Sequence, residues 1–231
     1  MNNEKVSVFL PCRKGSQRVP KKNVRPIGSY ALGLLEIKLN QLLSATAVDE
    51  VVLSTDDEDI INYASSLNDA SLRVHKRDPK LSSSETSTDQ LISHAAELIS
   101  EGIIVWTHVT SPFFRAHDYD AAVGAYFRGL KIGYDSLMSV TPLQTFVWNH
   151  NGPLNYDRSI EKWPRTQTLA PVYEINSAVF ISSAKNYSDL KDRIGRKPIF
   201  FELSKVQSVD IDDESDFELA YFMLDSGFAV V

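Results

Sequence analysis

Short apolar runs rich in β-branched residues alternate with stretches of helical periodicity along the first half of the chain. Strands are predicted for four such runs, at residues 6–10, 50–54, 72–76 and 103–108. Helices are predicted where apolar residues recur at a spacing of three and four, over residues 31–43, 57–67, 87–100 and 117–128. Because alternating strands and helices are typical of βα units around a mainly parallel sheet, the pattern predicts an α/β fold.

The rhythm changes after Lys131. Further strands are predicted at residues 136–140, 146–150, 175–182, 199–203 and 208–211, and helices at 184–191 and 215–226. Residues 151–171 are polar and contain Asn, Gly, Pro and Trp, which predicts a loop. A length of 231 residues allows one continuous core. We therefore expect a single domain over residues 1–231, in which residues 151–196 are the natural candidate for an inserted or dimer-forming subdomain.

Composition and charge exclude several classes of protein. The 24 Lys and Arg against 30 Asp and Glu give a net charge of −6, which argues against nucleic acid as a partner, because such binding needs concentrated positive charge. No apolar run approaches the roughly 20 residues that cross a membrane, and the polar N-terminus lacks the apolar core of a signal peptide. We expect a cytoplasmic protein with no membrane association. The single cysteine, Cys12, forms no internal disulfide and is interpreted as a buried strand-end residue.

The loop after the first predicted strand carries the clearest chemical signal. Residues 11–23 contain no acid and five cations, namely Arg13, Lys14, Arg18, Lys21 and Lys22. A solvated surface turn is one interpretation of such a loop. Its position at the carboxyl end of the first strand, where α/β sheets bind ligands, favours a cradle for polyphosphate instead. Neither G-x-x-x-x-G-K-[ST] nor G-x-G-x-x-G is present, because Gly15 is the only glycine here.

Two carboxylates near the C-terminus are candidates for metal binding. Asp210 and Asp212 alternate along the strand predicted at residues 208–211, which would place both on one face. Mg²⁺ is usually held by one or two carboxylates together with phosphate oxygens and water. The alternative is a pair of solvated acids before the last helix, a role that suits the neighbouring Asp213 and Glu214.

At this point the chain resembles a known family. Residues 10–23 resemble the signature of the CMP-sugar synthetases, that is, the acylneuraminate cytidylyltransferases and their 3-deoxy-octulosonate relatives. Later segments resemble further blocks of that family in the same order, at residues 53–57, 77–88, 110–112, 176–180 and 208–212. The resemblance implies a Rossmann-like, three-layer nucleotidyltransferase fold, similar to the nucleotide-diphospho-sugar transferases, with a mixed, mostly parallel sheet. It also implies a homodimer with a small dimerisation and substrate-binding region near residues 141–200.

The resemblance further implies transfer of CMP from CTP to the anomeric hydroxyl of a 2-keto-3-deoxy acidic sugar, such as sialic acid or a related nonulosonic acid, with release of pyrophosphate. Mg²⁺ is the implied cofactor, held by Asp210 and Asp212. Arg13 and Lys22 match positions that hold the triphosphate and, with Asp210, are the implied catalytic residues. Nucleotide binding is also assigned to Ser16, Asn23, Arg77 and Thr88. Ser16 would equally stabilise its own loop, and Thr88 would equally cap a helix.

On the acceptor side the match to the sialate enzymes fails. Gln17, His108 and Gln144 stand where the sialate branch has Lys, Gln and Lys, and Glu174 lies close to a position of Arg. This loss of positive charge points to a modified nonulosonic or octulosonic acid, with an amino group that Glu174 would pair with. Arg165 would restore a positive charge, or lie at the surface or in a dimer contact. The implied substrate-binding residues are His108, Gln144, Arg165, Glu174, Asn176 and Phe180.

Other functions stay open on the sequence alone. One is cytidylyl transfer to an octulosonate of the Kdo or amino-Kdo type, or to a non-sugar acid such as a phosphonate. Another, from a different class, is a catalytically silent nucleotide-binding relative. The intact set of Arg13, Lys22, Asp210 and Asp212 weighs against the silent protein, because such a relative has no need for a metal site beside a triphosphate cradle.

Overall fold

The structure, a computed structural model, describes residues 4–16, 18–83 and 85–231. The strands are β1 (Val6–Pro11), β2 (Glu50–Thr55), β3 (Leu72–Lys76), β4 (Ile103–Trp106), β5 (Ser136–Leu143), β6 (Trp148–Asn149), β7 (Gly152–Pro153), β8 (Val172–Ser183) and β9 (Pro198–Glu202). The helices are α1 (Gly33–Ser44), α2 (Glu58–Ser66), α3 (Thr88–Leu98), α4 (Ala116–Leu130), α5 (Ala184–Leu190) and α6 (Glu214–Asp225).

Seven strands form one sheet in the order β3-β2-β1-β4-β8-β5-β9. β8 runs antiparallel to both of its neighbours, and every other neighbouring pair is parallel. This confirms the predicted mixed, mostly parallel sheet. The carboxyl ends of β1, β2 and β4 consequently meet at one edge, which is where an open α/β sheet binds its ligands.

Side chains alternate between the two faces of the sheet and build one apolar core on each face. In β1, Val8 and Leu10 join the core with residues of α1, α4 and α6, whereas Phe9 joins the core with residues of α3 and α5. Helices thus cover both faces, as a three-layer architecture requires. Within the described part of the chain, no helix combines the length and apolar character needed to cross a bilayer.

Three predicted elements differ from the structure. Residues 208–211 form no strand, because Ile211 N–H donates to the Thr110 carbonyl in the loop after β4 rather than joining a ladder. The strand predicted at 146–150 is reduced to β6, which pairs only with β7 in a separate hairpin. The predicted fourth strand ends at Trp106, so His108 lies in the loop that follows.

Residues 141–200, the implied dimerisation and substrate-binding region, lie partly within the main sheet and partly outside it. β8, α5 and β9 are parts of the main sheet and its helical layer, so only residues 144–171 lie outside it, and we call them the outer segment. The outer segment has its own aromatic cluster, in which the Phe146 ring packs edge-on against Tyr156 and Trp163. Most residues of the outer segment are exposed.

A buried lysine fixes the loop between β4 and α4. Lys38 lies within α1 and is fully buried. Its ammonium group donates to the carbonyls of Ser111 (2.8 Å) and Phe114 (3.1 Å) and to the Tyr119 hydroxyl (3.0 Å). Three donors meet three acceptors, which compensates much of the cost of removing the charge from water. These hydrogen bonds from α1 therefore hold in place the loop that carries His108 and Thr110.

Lys38→Met should flatten the pH dependence of stability. Burial lowers the pKa of Lys38 to about 7 from 10.5, and Asp118 opposes this shift. Between those values the unfolded chain binds one more proton than the folded chain, so stability rises with pH. From about pH 7.5 to about pH 9, the wild type should gain roughly 1–2 kcal/mol relative to the variant. Urea unfolding at both pH values measures this, with the exposed Lys131→Met as a control that should follow the wild type. Equal gains in wild type and Lys38→Met would contradict the expectation.

Cys12 is a core residue at the end of β1. Its side chain is fully buried, and its N–H donates to the Ser54 carbonyl at 2.9 Å. Burial raises the pKa of the thiol to about 12, although Arg77 partly lowers it. Since the thiolate is the nucleophilic form, Cys12 is chemically inert at neutral pH. The interpretation of Cys12 as structural agrees with this environment.

Candidate active site

A cavity of about 360 Å³ opens at the sheet edge where β1 and β4 end. It is lined by Pro11, Arg13, Ser16, Arg18, Lys22, Asn23, His108, Val109 and Thr110. Residues predicted for two different substrates, the nucleotide and the acceptor, therefore face one space. The wall is cationic on the side of the basic loop and carries an imidazole on the side of β4.

Backbone turns shape the basic loop around this cavity. Gly15 has φ 76° and Lys21 has φ 53°, both in the left-handed region. Asn23 Nδ2 donates to the Arg13 carbonyl at 3.0 Å and closes the loop on itself. The Lys14 N–H donates to Asp56 Oδ1 at 2.8 Å, which ties the loop to the end of β2. Asn23 thus acts inside the loop, and Asp56 holds it from outside.

Arg13 links the basic loop to the segment before α3. Its guanidinium donates to the Ser83 carbonyl at 3.2 Å, across 70 residues of sequence. The two predicted nucleotide-binding segments are therefore in contact. Their junction borders the cavity through Arg13, as the cradle interpretation requires.

The basic loop also touches the acidic segment before α6. Lys22 Nζ donates to the Ile211 carbonyl at 2.7 Å, and Arg18 pairs with Asp212 at 2.7 Å. Burial lowers the pKa of Lys22, while Asp212 and Asp210 raise it in part. Although the strand predicted for Asp210 and Asp212 does not exist, the two carboxylates still lie beside Lys22. Their shared position depends on this contact and on the bond from Ile211 to Thr110.

Asp210 carries an unsatisfied oxygen. Its Oδ1 is buried and has no hydrogen-bond partner among the described residues. Burial raises the pKa of Asp210, and the Thr110 and Ser177 hydroxyls beside the carboxyl only partly oppose this. A buried carboxylate oxygen without a donor is costly unless a cation or ligand completes it. Asp213, by contrast, caps α6 by accepting from the Asp216 N–H, so the solvated, capping role belongs to Asp213.

The residues present fit Mg²⁺ only if a bound nucleotide and water supply the rest of its ligands. No group of three or more His, Cys, Asp or Glu side chains able to hold a metal occurs in residues 4–16, 18–83 and 85–231. Asp210 and Asp212 offer two hard oxygen donors, and Mg²⁺ commonly takes its other ligands from phosphate and water. The orphaned Oδ1 of Asp210 is therefore suited to a metal that arrives with a nucleotide.

His108 is a neutral hydrogen-bond donor in the wall of the cavity. Trp106 Nε1 donates to His108 Nε2 at 2.7 Å, so Nε2 must accept and the ring proton sits on Nδ1. Burial lowers the pKa of His108 to about 3, helped by the charges of Arg193, Lys22 and Lys38. His108 therefore stays uncharged at physiological pH. Its Nδ1–H group can donate a hydrogen bond to a substrate oxygen.

Arg77, a predicted nucleotide-binding residue, is positioned by a buried hydrogen-bond network. Arg77 is only 2% exposed; its Nε donates to Ser54 Oγ at 3.1 Å, and its Nη2 donates to the Ser54 carbonyl. Ser54 Oγ also bonds His94 Nε2 at 2.9 Å. Thr88 is exposed at the first turn of α3. The capping role predicted as the alternative for Thr88 is wrong, because Ser87 forms the capping box with Gln90.

Several predicted acceptor residues lie outside the lining of this cavity. Glu174 and Arg165 are exposed, and Gln144 Nε2 donates to the Gln167 carbonyl within the outer segment. Asn176 bonds Thr141 Oγ1 and the Ala178 N–H, which fixes the irregular part of β8. Phe180 is 1% exposed in the core beneath the site. Gln17 lies outside the described residues.

Two side chains that organise the site give no clear signal in the sequence. Lys38 is one of several polar residues in α1, and the long stem of a lysine can equally reach solvent. His94 lies in α3, and only the fold brings it to Ser54. Both contacts join segments more than 35 residues apart, so periodicity within one element does not reveal them.

The sequence of this chain is similar to those of known proteins. The model of a family described as cytidylyltransferase matches residues 7–201. Pseudaminic acid cytidylyltransferase of Campylobacter jejuni subsp. jejuni serotype O:2 is 28% identical over 221 residues, which cover 92% of this chain and 93% of that protein. N-acylneuraminate cytidylyltransferase of Escherichia coli O18:K1:H7 is 27% identical over 223 residues, or 94% of this chain and 51% of that protein.

Solved structures agree on the fold. A CMP:2-keto-3-deoxy-manno-octonic acid synthetase in complex with CTP superposes with a TM-score of 0.68 at 16% identity, covering 96% of this chain and 99% of that one. A 4-diphosphocytidyl-2C-methyl-D-erythritol synthase from Anaerococcus prevotii gives 0.68 at 15% identity, with coverage of 96% and 99%. These confirm the nucleotidyltransferase fold. Because the family model spans most of the sequence, the chain belongs to the cytidylyltransferase family and is a nucleotidyltransferase of the acylneuraminate cytidylyltransferase type.

Proposed function

We propose that this protein transfers CMP from CTP to the anomeric hydroxyl of a 2-keto-3-deoxy acidic sugar of the nonulosonic class and releases pyrophosphate. The observation that carries the proposal is one cavity that joins Arg13 and Lys22 to the neutral donor His108, with the orphaned oxygen of Asp210 beside Lys22. Such a cavity offers cations for a triphosphate and a hydrogen-bond donor for a neutral or anionic acceptor. Named relatives act on pseudaminic and N-acylneuraminic acids, which supports the acceptor class.

The residues act by positioning and by charge neutralisation. Arg13 and Lys22 bind triphosphate oxygens and favour the charge that develops on departing pyrophosphate. Ser16 adds a hydroxyl donor, and Asn23 keeps the basic loop closed. On the β3 and α3 side, the exposed Thr88 would contact the nucleoside, and the buried Arg77, bonded to Ser54, would position the nucleoside-binding segment. His108 orients the acceptor so that its hydroxyl faces the α-phosphate.

Mg²⁺ is the proposed cofactor, held by Asp210 and Asp212. When bound, it would neutralise phosphate charge and polarise the α-phosphate. Before it binds, Asp212 is paired with Arg18, so nucleotide entry would draw Arg18 away toward phosphate oxygens. Asp210 needs no such exchange, because its Oδ1 has no partner to lose within the described chain.

We further propose a homodimer that uses the outer segment. Large apolar side chains are exposed there and at the adjacent sheet edge: Trp148, Leu154, Ile160 (86% exposed), Trp163 (67% exposed) and Phe200. Apolar exposure on this scale suits a second copy of the chain. Dependence on CTP, an intracellular nucleotide, supports a cytoplasmic location.

The test is pyrophosphate release, with CTP, ATP, GTP and UTP crossed against pseudaminic, legionaminic, sialic, octulosonic and amino-octulosonic acids, each with Mg²⁺ or with EDTA. We expect release only with CTP, a nonulosonic acid and Mg²⁺. Release with octulosonic acids alone, or with a phosphonate, would move the acceptor to the alternative class. CTP binding without release for every acceptor would identify the silent relative.

A further inference from the structure

Arg193 occupies an unusual position between α5 and β9. Its guanidinium stacks on two buried aromatic rings: Cζ lies 3.8 Å from the centroid of Phe180 and 5.3 Å from that of Trp106. These two residues pair directly across β4 and β8. Their rings therefore form one apolar platform under the cation, which holds the planar guanidinium in a defined orientation.

The charge of Arg193 has no anionic partner within residues 4–16, 18–83 and 85–231. The neighbouring carboxylate, Asp192, accepts from the Ile194 N–H at 3.1 Å and forms no ion pair with Arg193. Arg193 is half-buried, and none of its nitrogens is among the buried unpaired atoms, so its N–H groups remain accessible. Partial burial of an unpaired cation is costly, and an incoming anion would offset that cost.

The platform connects Arg193 to the reaction cavity. Trp106, under the guanidinium, also donates to His108, and the indole and imidazole centroids are 5.9 Å apart. His108 lines the cavity with Arg13 and Lys22. Burial lowers the pKa of His108, and the positive charge of Arg193 lowers it further. Arg193 is thus linked to the cavity wall through Trp106, which contacts both the guanidinium and His108.

A second unpaired polar group lies near Arg193. Tyr187, on α5, is fully buried, and its hydroxyl has no hydrogen-bond partner in the described chain. The positive charge of Arg193 acts on this hydroxyl and opposes the rise in the Tyr187 pKa that burial causes. Tyr187 is neutral and gives Arg193 no anionic partner, so the accessible guanidinium remains free to bind an oxygen-rich anion.

We propose that Arg193 binds the carboxylate of the acidic acceptor, an inference that rests on the proposed function. In a 2-keto-3-deoxy acid the carboxylate is attached to the anomeric carbon, the carbon that carries the attacking hydroxyl. A guanidinium fork that holds the carboxylate beside His108 would therefore also fix the direction of that hydroxyl. Arg193 supplies the positive charge that Gln144 and Glu174 lack.

The test compares Arg193→Gln, Arg193→Lys and the control Arg196→Gln. Arg196 lies three residues along, is exposed, and stacks on no ring in the described part of the chain. Pyrophosphate release gives KM for CTP and for the acceptor acid separately, with the methyl ester of the same acid as a second acceptor. We expect Arg193→Gln to raise KM for the acid by roughly 10- to 100-fold, in line with a lost charged hydrogen bond, and to leave KM for CTP within about two-fold. Arg193→Lys should lie between Arg193→Gln and the wild type.

The ester separates binding from a packing role. If Arg193 holds the carboxylate, the preference of the wild type for the acid over its ester collapses in Arg193→Gln and persists in Arg196→Gln. An equal loss for acid and ester, or an unchanged KM for the acid, would overturn the assignment while the wild type stays active. A wild type that releases no pyrophosphate with any acid overturns the proposed function itself, and the assignment with it.

Discussion

Asp210→Asn should abolish cytidylyl transfer. The substitution keeps the shape of the side chain but removes the negative charge from the buried Oδ1 that has no partner in the described chain. Removing one preorganised electrostatic group from such a site costs about 10²- to 10³-fold in kcat, and loss of a metal ligand costs at least as much. Pyrophosphate release under saturating CTP, acid and Mg²⁺ measures the effect. A variant that keeps more than about a tenth of wild-type kcat would contradict the metal-binding role of Asp210.

The same substitution should stabilise the ligand-free protein. Burial raises the pKa of Asp210, so the folded chain keeps its proton to higher pH than the unfolded chain. Wild-type stability therefore falls as pH rises through that interval, and the ionised carboxylate costs stability at neutral pH. Asn carries no charge, and a gain of about 1 kcal/mol corresponds to a Tm increase of about 2–4 °C for a chain of this length. Calorimetry at neutral pH without nucleotide or metal measures it.

Asp212→Asn is the matched control for both effects. Asp212 is exposed and paired with Arg18, so its removal breaks a surface ion pair rather than relieving a buried charge. We expect a smaller loss of kcat, about ten-fold, and no gain in Tm. If both variants gained stability equally, the burial of Asp210 would not be the cause.

Lys22→Met should reduce kcat/KM for CTP by roughly 100-fold. The ammonium group would lose its contact with triphosphate and its hydrogen bond to the Ile211 carbonyl, which ties the basic loop to the Asp210 segment. Charged hydrogen bonds of this kind contribute about 1.5–3 kcal/mol. Because burial lowers the pKa of Lys22, wild-type affinity for CTP should also decline at a lower alkaline pH than a free lysine would give.

Lys14→Met is the control for charge alone. Lys14 carries the same charge in the same loop, but it is exposed, and within the described residues its side chain makes no hydrogen bond, while its backbone N–H donates to Asp56. Titration of CTP into each variant, with release kinetics, should show a loss of about ten-fold or less for Lys14→Met. Equal losses in both variants would mean that CTP senses the net charge of the loop rather than Lys22 itself.

Much of the fold could be predicted because β1 to β4 are short, apolar and separated by helices whose burial follows their own periodicity. The basic loop could also be placed, since its position depends only on the end of β1. Residues 208–211 could not be predicted, because their sequence resembles a strand, whereas the structure places Ser208 in a turn and bonds Ile211 to the Thr110 carbonyl in the loop after β4. The carboxylates reach Lys22 all the same.

The acceptor side was the hardest part of the site to predict. Its polar residues come from segments that meet only in three dimensions, as Arg193 meets Trp106 across β8. Resemblance assigns roles to positions that match a motif, and Arg193 matches none. A comparison of sequence motifs shows that positive charge is absent at Gln144 and Glu174. It does not show that Arg193, in a different part of the chain, supplies that charge.

The burial of Cys12 makes the protein suitable for site-specific labelling with dyes or spin labels. The chain contains one cysteine, and its thiol is protected by burial and by a pKa of about 12. Maleimide dyes and spin labels react with thiolates, so they should pass over Cys12 in the native protein. A single cysteine placed at Ile160 would then be labelled selectively without removing the natural one. Probe distances between two labelled copies could follow the outer segment while substrates bind.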